Sequence, residues 1–171
     1  MTESQAAYRQ ALTRFATGVA LVTAESGDRQ FAMTANALTS VSLEPVMLLV
    51  CFSRGSQTRS AALSSGRFGL SVLCGNVGAE VAERCARSAG ELEHQLDGVA
   101  LRSSSGPPLL EHCLAHAVCA VEEFIEVGER DALIGLVESI GVNEALDESP
   151  IVYYEGAYRR LAAGIEPKAA R

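Results

Sequence analysis

Two clusters of short polar side chains flank one apolar run. Thr34-Ala35-Asn36 and Thr39-Ser40-Val41-Ser42-Leu43 lie before Pro45, the run Val46 to Phe52 follows, and Ser53-Arg54-Gly55-Ser56-Gln57-Thr58 comes after it. Hydroxyl, amide and free backbone N–H groups donate hydrogen bonds without adding charge, which suits phosphate and ring-carbonyl oxygens. Ala35, Ala37 and Gly55 are small enough for backbone to approach a flat ligand closely. With Val46 to Phe52 as a buried strand, both clusters can share one side of a sheet. The same residue types also make turns and helix caps. The residues by themselves leave both roles open.

Other chemistry finds less support. His112, Cys113, His116 and Cys119 fall within one segment. On a helix, His112, His116 and Cys119 would share a face and resemble a zinc-ligand set. On a strand, the two histidines point one way and the two cysteines the other. The five cysteines form no C-x-x-C pair and their number is odd, so no disulfide framework is expected. No G-x-S-x-G elbow occurs, and His94 is the only histidine outside that segment. Phosphate loops of the Walker or G-x-G-x-x-G type are absent as well.

Charge narrows the partners. The chain carries 21 acidic against 14 basic residues, a net charge of −7, and no Trp. That disfavours nucleic acid, whose affinity rests on basic residues against phosphates and on stacking aromatics. No apolar run approaches a membrane span, and MTESQAAYRQ lacks a charged-then-apolar leader layout, so a cytoplasmic location without membrane attachment is expected. At 171 residues, one domain over residues 1–171 is expected, with a core from about 8 to 161 and a loose tail from 162 to 171.

The periodicity then supplies the elements. Ala7, Tyr8, Ala11, Leu12 and Phe15 recur at helical spacing and predict a helix from Ser4 to Phe15, with Gly18 as its stop. Val19 to Ala24 and Arg29 to Ala35 predict a hairpin around Glu25-Ser26-Gly27-Asp28. Strands are expected at Val46 to Phe52, Phe68 to Leu73, Val99 to Leu101, Ala132 to Val142 and Ile151 to Tyr154. Helices are expected at Gln57 to Ser64 and Val77 to Arg87, the first with its N-terminus at Ser56, where unpaired N–H groups could meet an anion. Ser103 to Pro108 reads as a loop. Leu110 to Phe124 fits a helix and a doubly buried strand equally. Many strands with turns between them and few short helices suggest a mainly β (α+β) fold, an antiparallel barrel with helical decoration.

T-A-N at 34–36, S-V-S-L-x-P at 40–45, the apolar strand and Ser56-Gln57-Thr58 together resemble the flavin-binding core of the flavin reductase-like family. Phe15-Ala16-Thr17-Gly18-Val19 resembles the family's opening, and Pro150-Ile151-Val152-Tyr153-Tyr154 with Gly156 and Tyr158 its close. The resemblance runs from about Tyr8 to Leu161 and implies a Greek-key split β-barrel that binds FMN or FAD. It also implies that Leu110 to Phe124 is a strand, which breaks up the histidine–cysteine set, so no metal is expected. By the same resemblance, Thr34, Ala35 and Asn36 meet the ribityl chain or pyrimidine edge, and Ser40, Val41 and Ser42 line the ring. Cys51 ends the central strand beside it, and Ser56, Gln57 and Thr58 take the phosphate.

The implied activity is an NAD(P)H:flavin oxidoreductase. A homodimer would pass hydride from NADH or NADPH to flavin and supply reduced flavin to a separate flavin-dependent oxygenase. Three positions depart from the family pattern. Gly128-Glu129-Arg130 stands where relatives carry G-D-H, Ser71 stands where Asn is common, and Ala37-Leu38 replaces Ser-Phe. Arg130 cannot exchange a proton near neutrality, but it can pair with a nucleotide phosphate or carboxamide. These departures keep a second reading open, a flavin-binding electron-transfer or carrier module without NAD(P)H oxidation. The segment Leu114 to Val121 is the expected dimer-facing strand.

Overall fold

The computed structural model describes residues 2–86, 98–102 and 106–161. The expectations for His94, for Arg87 as a helix end, for residues 103–105 of the loop and for the tail at 162–171 lie outside these residues.

The first helix, α1, spans Glu3–Leu12. Thr2 and Gln5 close a capping box at its start, with Thr2 Oγ1 accepting from the Gln5 N–H and Gln5 Oε1 from the Thr2 N–H. It stops at Leu12 with Thr13 as its cap, three residues short of the predicted end, and Gly18 lies in a strand instead. The apolar spacing was right, but Thr13 to Phe15 form a turn rather than a further helical turn.

Twelve strands follow among the described residues: β1 (Thr17–Gly18), β2 (Ala20–Ser26), β3 (Arg29–Ala35), β4 (Leu38–Leu43), β5 (Val46–Ser53), β6 (Arg67–Val72), β7 (Leu101–Arg102), β8 (Leu109–Leu110), β9 (Ala115–Val127), β10 (Arg130–Val142), β11 (Ile151–Tyr154) and β12 (Ala157–Arg160). Two helices complete the set, α2 (Gln57–Ser65) and α3 (Gly75–Ala86). The ambiguous segment is therefore strand from Ala115 onward. The short strand expected at Val99 to Leu101 forms at Leu101–Arg102, paired with β8. The polar stretch Thr39 to Leu43, read as a ligand-facing cluster, is itself most of edge strand β4. Its low apolar content hid it.

Seven antiparallel strands form the main sheet in the order β3-β2-β6-β9-β10-β5-β4. Its two edge strands, β3 and β4, are consecutive in the chain and joined only by Asn36 and Ala37. Two residues cannot span an open seven-stranded sheet, so the sheet curls until its edges meet, and no strand ladder closes the seam. A smaller sheet of β1, β11 and β12 lies alongside.

Period-two alternation on β2 divides the apolar residues between two cores. Ala20, Val22 and Ala24 face the barrel interior with Phe31, Val50, Phe52, Phe68, Cys119 and Leu133, and Ala61 and Ala62 of α2 pack against this set. Val19 and Leu21 belong to the second core, with Val81, Ala82 and Cys85 of α3 and Ile151 of β11. Phe52 and Phe68 meet edge to face with centroids 6.1 Å apart. Gly135 is required beside them, since a Cβ there would meet the Phe68 ring at 2.6 Å. Ser71 is fully buried and its Oγ accepts from the Leu110 N–H, so it serves the packing of β8.

Candidate functional site

The seam between β3 and β4 opens into a cleft. Asn36 and Ala37 line it, and the Cys51 N–H donates to the Ala37 carbonyl at 2.9 Å, which ties this connection to β5. Arg130, the first residue of β10, pairs in register with Ser53 of β5 and reaches the Ser53 Oγ through Nη1 at 3.5 Å. It is thus held by a strand pair, because the strand starts two residues before the predicted Ala132. Asn36 Nδ2 donates to Thr17 Oγ1 at 3.1 Å, fixing the amide at the rim.

Helix α1 forms the opposite wall. None of its residues is buried, and Tyr8 and Leu12, with Phe15 just beyond, remain 67%, 47% and 69% exposed. The cleft has two overlapping lobes of about 1010 and 980 Å³. Tyr8, Arg9, Leu12, Asn36, Ala37 and Arg130 line both; Phe15, Thr17, Leu38 and Tyr153 line the first, and Cys51, Gly128 and Glu129 the second. Mostly apolar walls with a few convergent polar groups suit a flat aromatic ligand with a polar edge.

The residues singled out from sequence separate into groups. Asn36, Cys51 and Arg130 come together in the cleft. Ala35 is buried in the barrel core beside it. Thr34 turns the other way, its Oγ1 donating to the Ala82 carbonyl of α3 at 2.6 Å. Ser40, Val41 and Ser42 lie on the edge strand β4, with Ser42 Oγ accepting from the Glu44 N–H in the following turn. Ser56 is the N-cap of α2, accepting from the Arg59 N–H, and it contacts Met33 Sδ of β3 at 3.6 Å. Gln57 and Thr58 form the first turn of that helix, and Thr58 is buried. The cap leaves N–H groups free at the start of α2, which follows β5 and lines neither lobe of the cleft.

Beside this turn lies an ion-pair cluster. Asp131 is fully buried; Arg54 Nε reaches its Oδ1 at 3.1 Å, and Arg59 Nη2 contacts its Oδ2. Arg54 also reaches Glu126 at 3.1 Å. A buried carboxylate needs this pairing, and removing one partner is expected to destabilise strongly. The cluster fixes the α2 entry against β10.

Of the histidine–cysteine segment, His112 and Cys113 precede β9 and His116 and Cys119 lie on it. The Cys113 thiol donates to the Leu110 carbonyl, and the His116 ring sits against Gly141. Burial lowers the His116 pKa, with Arg102 adding to the effect.

Sequence reasoning missed the wall contributed by α1. Its signal is present in the sequence: Tyr8, Leu12 and Phe15 make an apolar face at helical spacing, and in the structure that face stays exposed toward the cleft.

A curled antiparallel sheet with a ligand-sized cleft at its open seam defines a small split-barrel binding domain. The model for the flavin reductase like domain matches residues 12–162, and the chain belongs to that family. An NADH-dependent flavin reductase from a Rhodococcus species is 35% identical over 156 residues, covering 90% of this chain and 84% of the relative. The reductase component of 4-hydroxyphenylacetate 3-monooxygenase from Thermus thermophilus is 32% identical, covering 91% and 95%. Among solved structures, the Streptomyces globisporus NADH:FAD oxidoreductase SgcE6, in complex with NAD and FAD fragments, aligns with a TM-score of 0.85. It is 27% identical, with 96% of each chain covered.

Proposed function

We infer that this chain is an NAD(P)H-dependent flavin reductase, the reductase component of a two-component monooxygenase. The observation that carries the reading is the convergence of Asn36, Cys51 and Arg130 on one cleft of a flavin reductase-like fold. A flavin, FMN or FAD, supplies the hydride acceptor when bound, and NADH or NADPH is the donor. The residues present fit such a ligand: small Ala37 admits a ring, and the Asn36 amide offers a donor at the rim. The N-terminus of α2 offers uncharged donors to a phosphate.

The protein's own part is positional, since the cofactor carries the electron chemistry. Asn36 and the backbone around Ala37 orient the ring edge. Ser56 and the first N–H groups of α2 hold the phosphate. Tyr8 and Leu12 of α1, with Phe15 in the turn after it, cover the cleft and limit water. Arg130 attracts the nucleotide through a phosphate or carboxamide oxygen and moves no proton.

The same proposal includes one flavin-binding domain with its core from about 8 to 161, a homodimer, a cytoplasmic location and a separate oxygenase that accepts reduced flavin. No described helix is long and apolar enough to cross a membrane. Of the segment expected to face a dimer partner, Ala117, Val118 and Cys119 are buried, while Leu114, Ala115, His116, Ala120 and Val121 are half-buried. Exposed apolar residues sit elsewhere. Val41, Leu43 and Val46 at the β4–β5 turn, with Ile140 and Val142 at the same end of β10, are 44–85% exposed and supply the face for the proposed dimer.

Steady-state oxidation of NADH and NADPH with added FMN, FAD or riboflavin tests the assignment. Turnover with at least one pair is expected. Stoichiometric flavin binding without oxidation of either nucleotide would favour the carrier reading instead, which the departures at Arg130 and Ser71 keep open.

A further inference from the structure

Away from the cleft, three connections of the chain meet at one point. Cys74 lies between β6 and α3, His112 between β8 and β9, and Glu148 between β10 and β11. One Cys Sγ, one imidazole nitrogen and one carboxylate oxygen from these residues all lie within 4.8 Å of one another. We propose that Cys74, His112 and Glu148 form a binding site for a zinc-class divalent cation.

The ligand chemistry is the mixed thiolate, imidazole and carboxylate set that such cations take, with room for a water as fourth ligand. Tetrahedral coordination with metal–ligand bonds of about 2.0–2.3 Å spaces the ligand atoms roughly 3.3–3.6 Å apart. His112 Nε2 and Glu148 Oε1 already stand 3.1 Å apart. That nitrogen is closed off from solvent yet makes no aligned hydrogen bond, so the pair by itself leaves it unsatisfied.

The backbone holds the three residues in place without a ligand. Cys74 bridges Pro150. The Gly75 N–H donates to the Ser149 carbonyl at 3.2 Å, and the Ile151 N–H to the Leu73 carbonyl at 3.1 Å. The Leu114 N–H donates to the Val72 carbonyl at 3.0 Å. Gly75 has φ +58, and the Glu148 carboxylate fills the space that a Cβ there would need. Any side chain at 75 would displace the carboxylate from the cluster.

Binding replaces the Cys74 thiol proton with the cation, and that proton leaves to solvent. The bound cation joins the β6–α3, β8–β9 and β10–β11 connections and acts as a staple. None of the three residues lines the flavin cleft, so the site is separate from the reductase machinery.

Cobalt(II) titration of chelator-treated, tag-free protein reads the site directly. The expected result is a thiolate-to-cobalt charge-transfer band in the near ultraviolet at one equivalent, lost on zinc addition. Cys74→Ser should abolish the band, whereas Cys113→Ser, the neighbouring thiol, should retain it. His112→Ala and Glu148→Gln should each weaken cobalt binding about tenfold or more. Zinc should raise the melting temperature of the unmodified chain but not of His112→Ala, a half-exposed position that keeps the test valid if Cys74→Ser does not fold. Absence of the band, or equal cobalt affinity in His112→Ala, would overturn the proposal.

Discussion

At the residue scale, Arg130 is the position with the most to reveal. It projects into both lobes of the cleft from a strand pair, with Ser53 Oγ at 3.5 Å as its recorded partner. Attraction by a fixed cation is screened by salt over roughly 8 Å at physiological ionic strength. The KM for NAD(P)H should therefore rise with added salt. Arg130→Ala should raise that KM severalfold while leaving flavin affinity unchanged. Unchanged nucleotide kinetics in Arg130→Ala would show a surface charge with no role in binding. Ser56 makes a two-sided prediction because it caps α2. Ser56→Ala should cost about 1 kcal/mol of stability through the lost cap. If its hydroxyl also meets the flavin phosphate, affinity should fall by a further ~1.5–3 kcal/mol. A stability loss with flavin affinity intact would make Ser56 a cap alone.

At the element scale, β9 shows what was legible and what was not. Its apolar run Leu114 to Val121 satisfies both periods, because a strand covered on both faces shows no alternation. Family likeness settled the choice, and the structure agrees from Ala115 onward. The hairpin of β2 and β3 was readable because a Gly-Asp turn separates two β-rich runs. Strand β4 was not, since an edge strand needs little apolar surface and its hydroxyls read as ligand donors. The family resemblance puts Asn36 and Cys51 at the flavin and Arg130 at the nucleotide, but only the curled sheet shows that the three share a cleft. Thr34 could not be placed from sequence, because strand parity decides whether it faces the seam or α3.

The same packing makes a pH prediction for the cores. Burial pushes the Cys119 thiol on β9 from 9.0 up to about 12, with Glu138 adding to the rise. Burial also pushes Cys85 on α3 up to about 11, against a lowering by Arg84. Above pH 9 the unfolded chain loses these protons while the folded chain keeps them. The folded state then binds more protons, so stability is full below about pH 9 and falls as pH rises toward 11–12. The urea midpoint should drop across that window, and less steeply in Cys119→Ala once its lower starting stability is allowed for. An equal slope in the variant would remove Cys119 as a source.

At the scale of the whole molecule, the exposed apolar end of the sheet and the uncovered face of α1 are the features a single chain leaves unfinished. A second copy on the β4–β5 and β10 end would cover Leu43, Val46, Ile140 and Val142. Light scattering at micromolar concentration should give twice the 18.0 kDa chain mass, and Leu43→Lys with Ile140→Lys should shift it toward one chain. A monomer mass for the unmodified protein would contradict the dimer. Flavin held in the cleft between α1 and the β3–β4 seam is the proposed hydride acceptor. Anaerobic stopped-flow mixing of NADH or NADPH with the flavin-loaded protein tests it most directly, by following loss of the oxidised flavin's visible absorbance. Bleaching at a rate that saturates with nucleotide and far exceeds that of free flavin is the predicted result. Bleaching no faster than free flavin, with both nucleotides, would contradict the account.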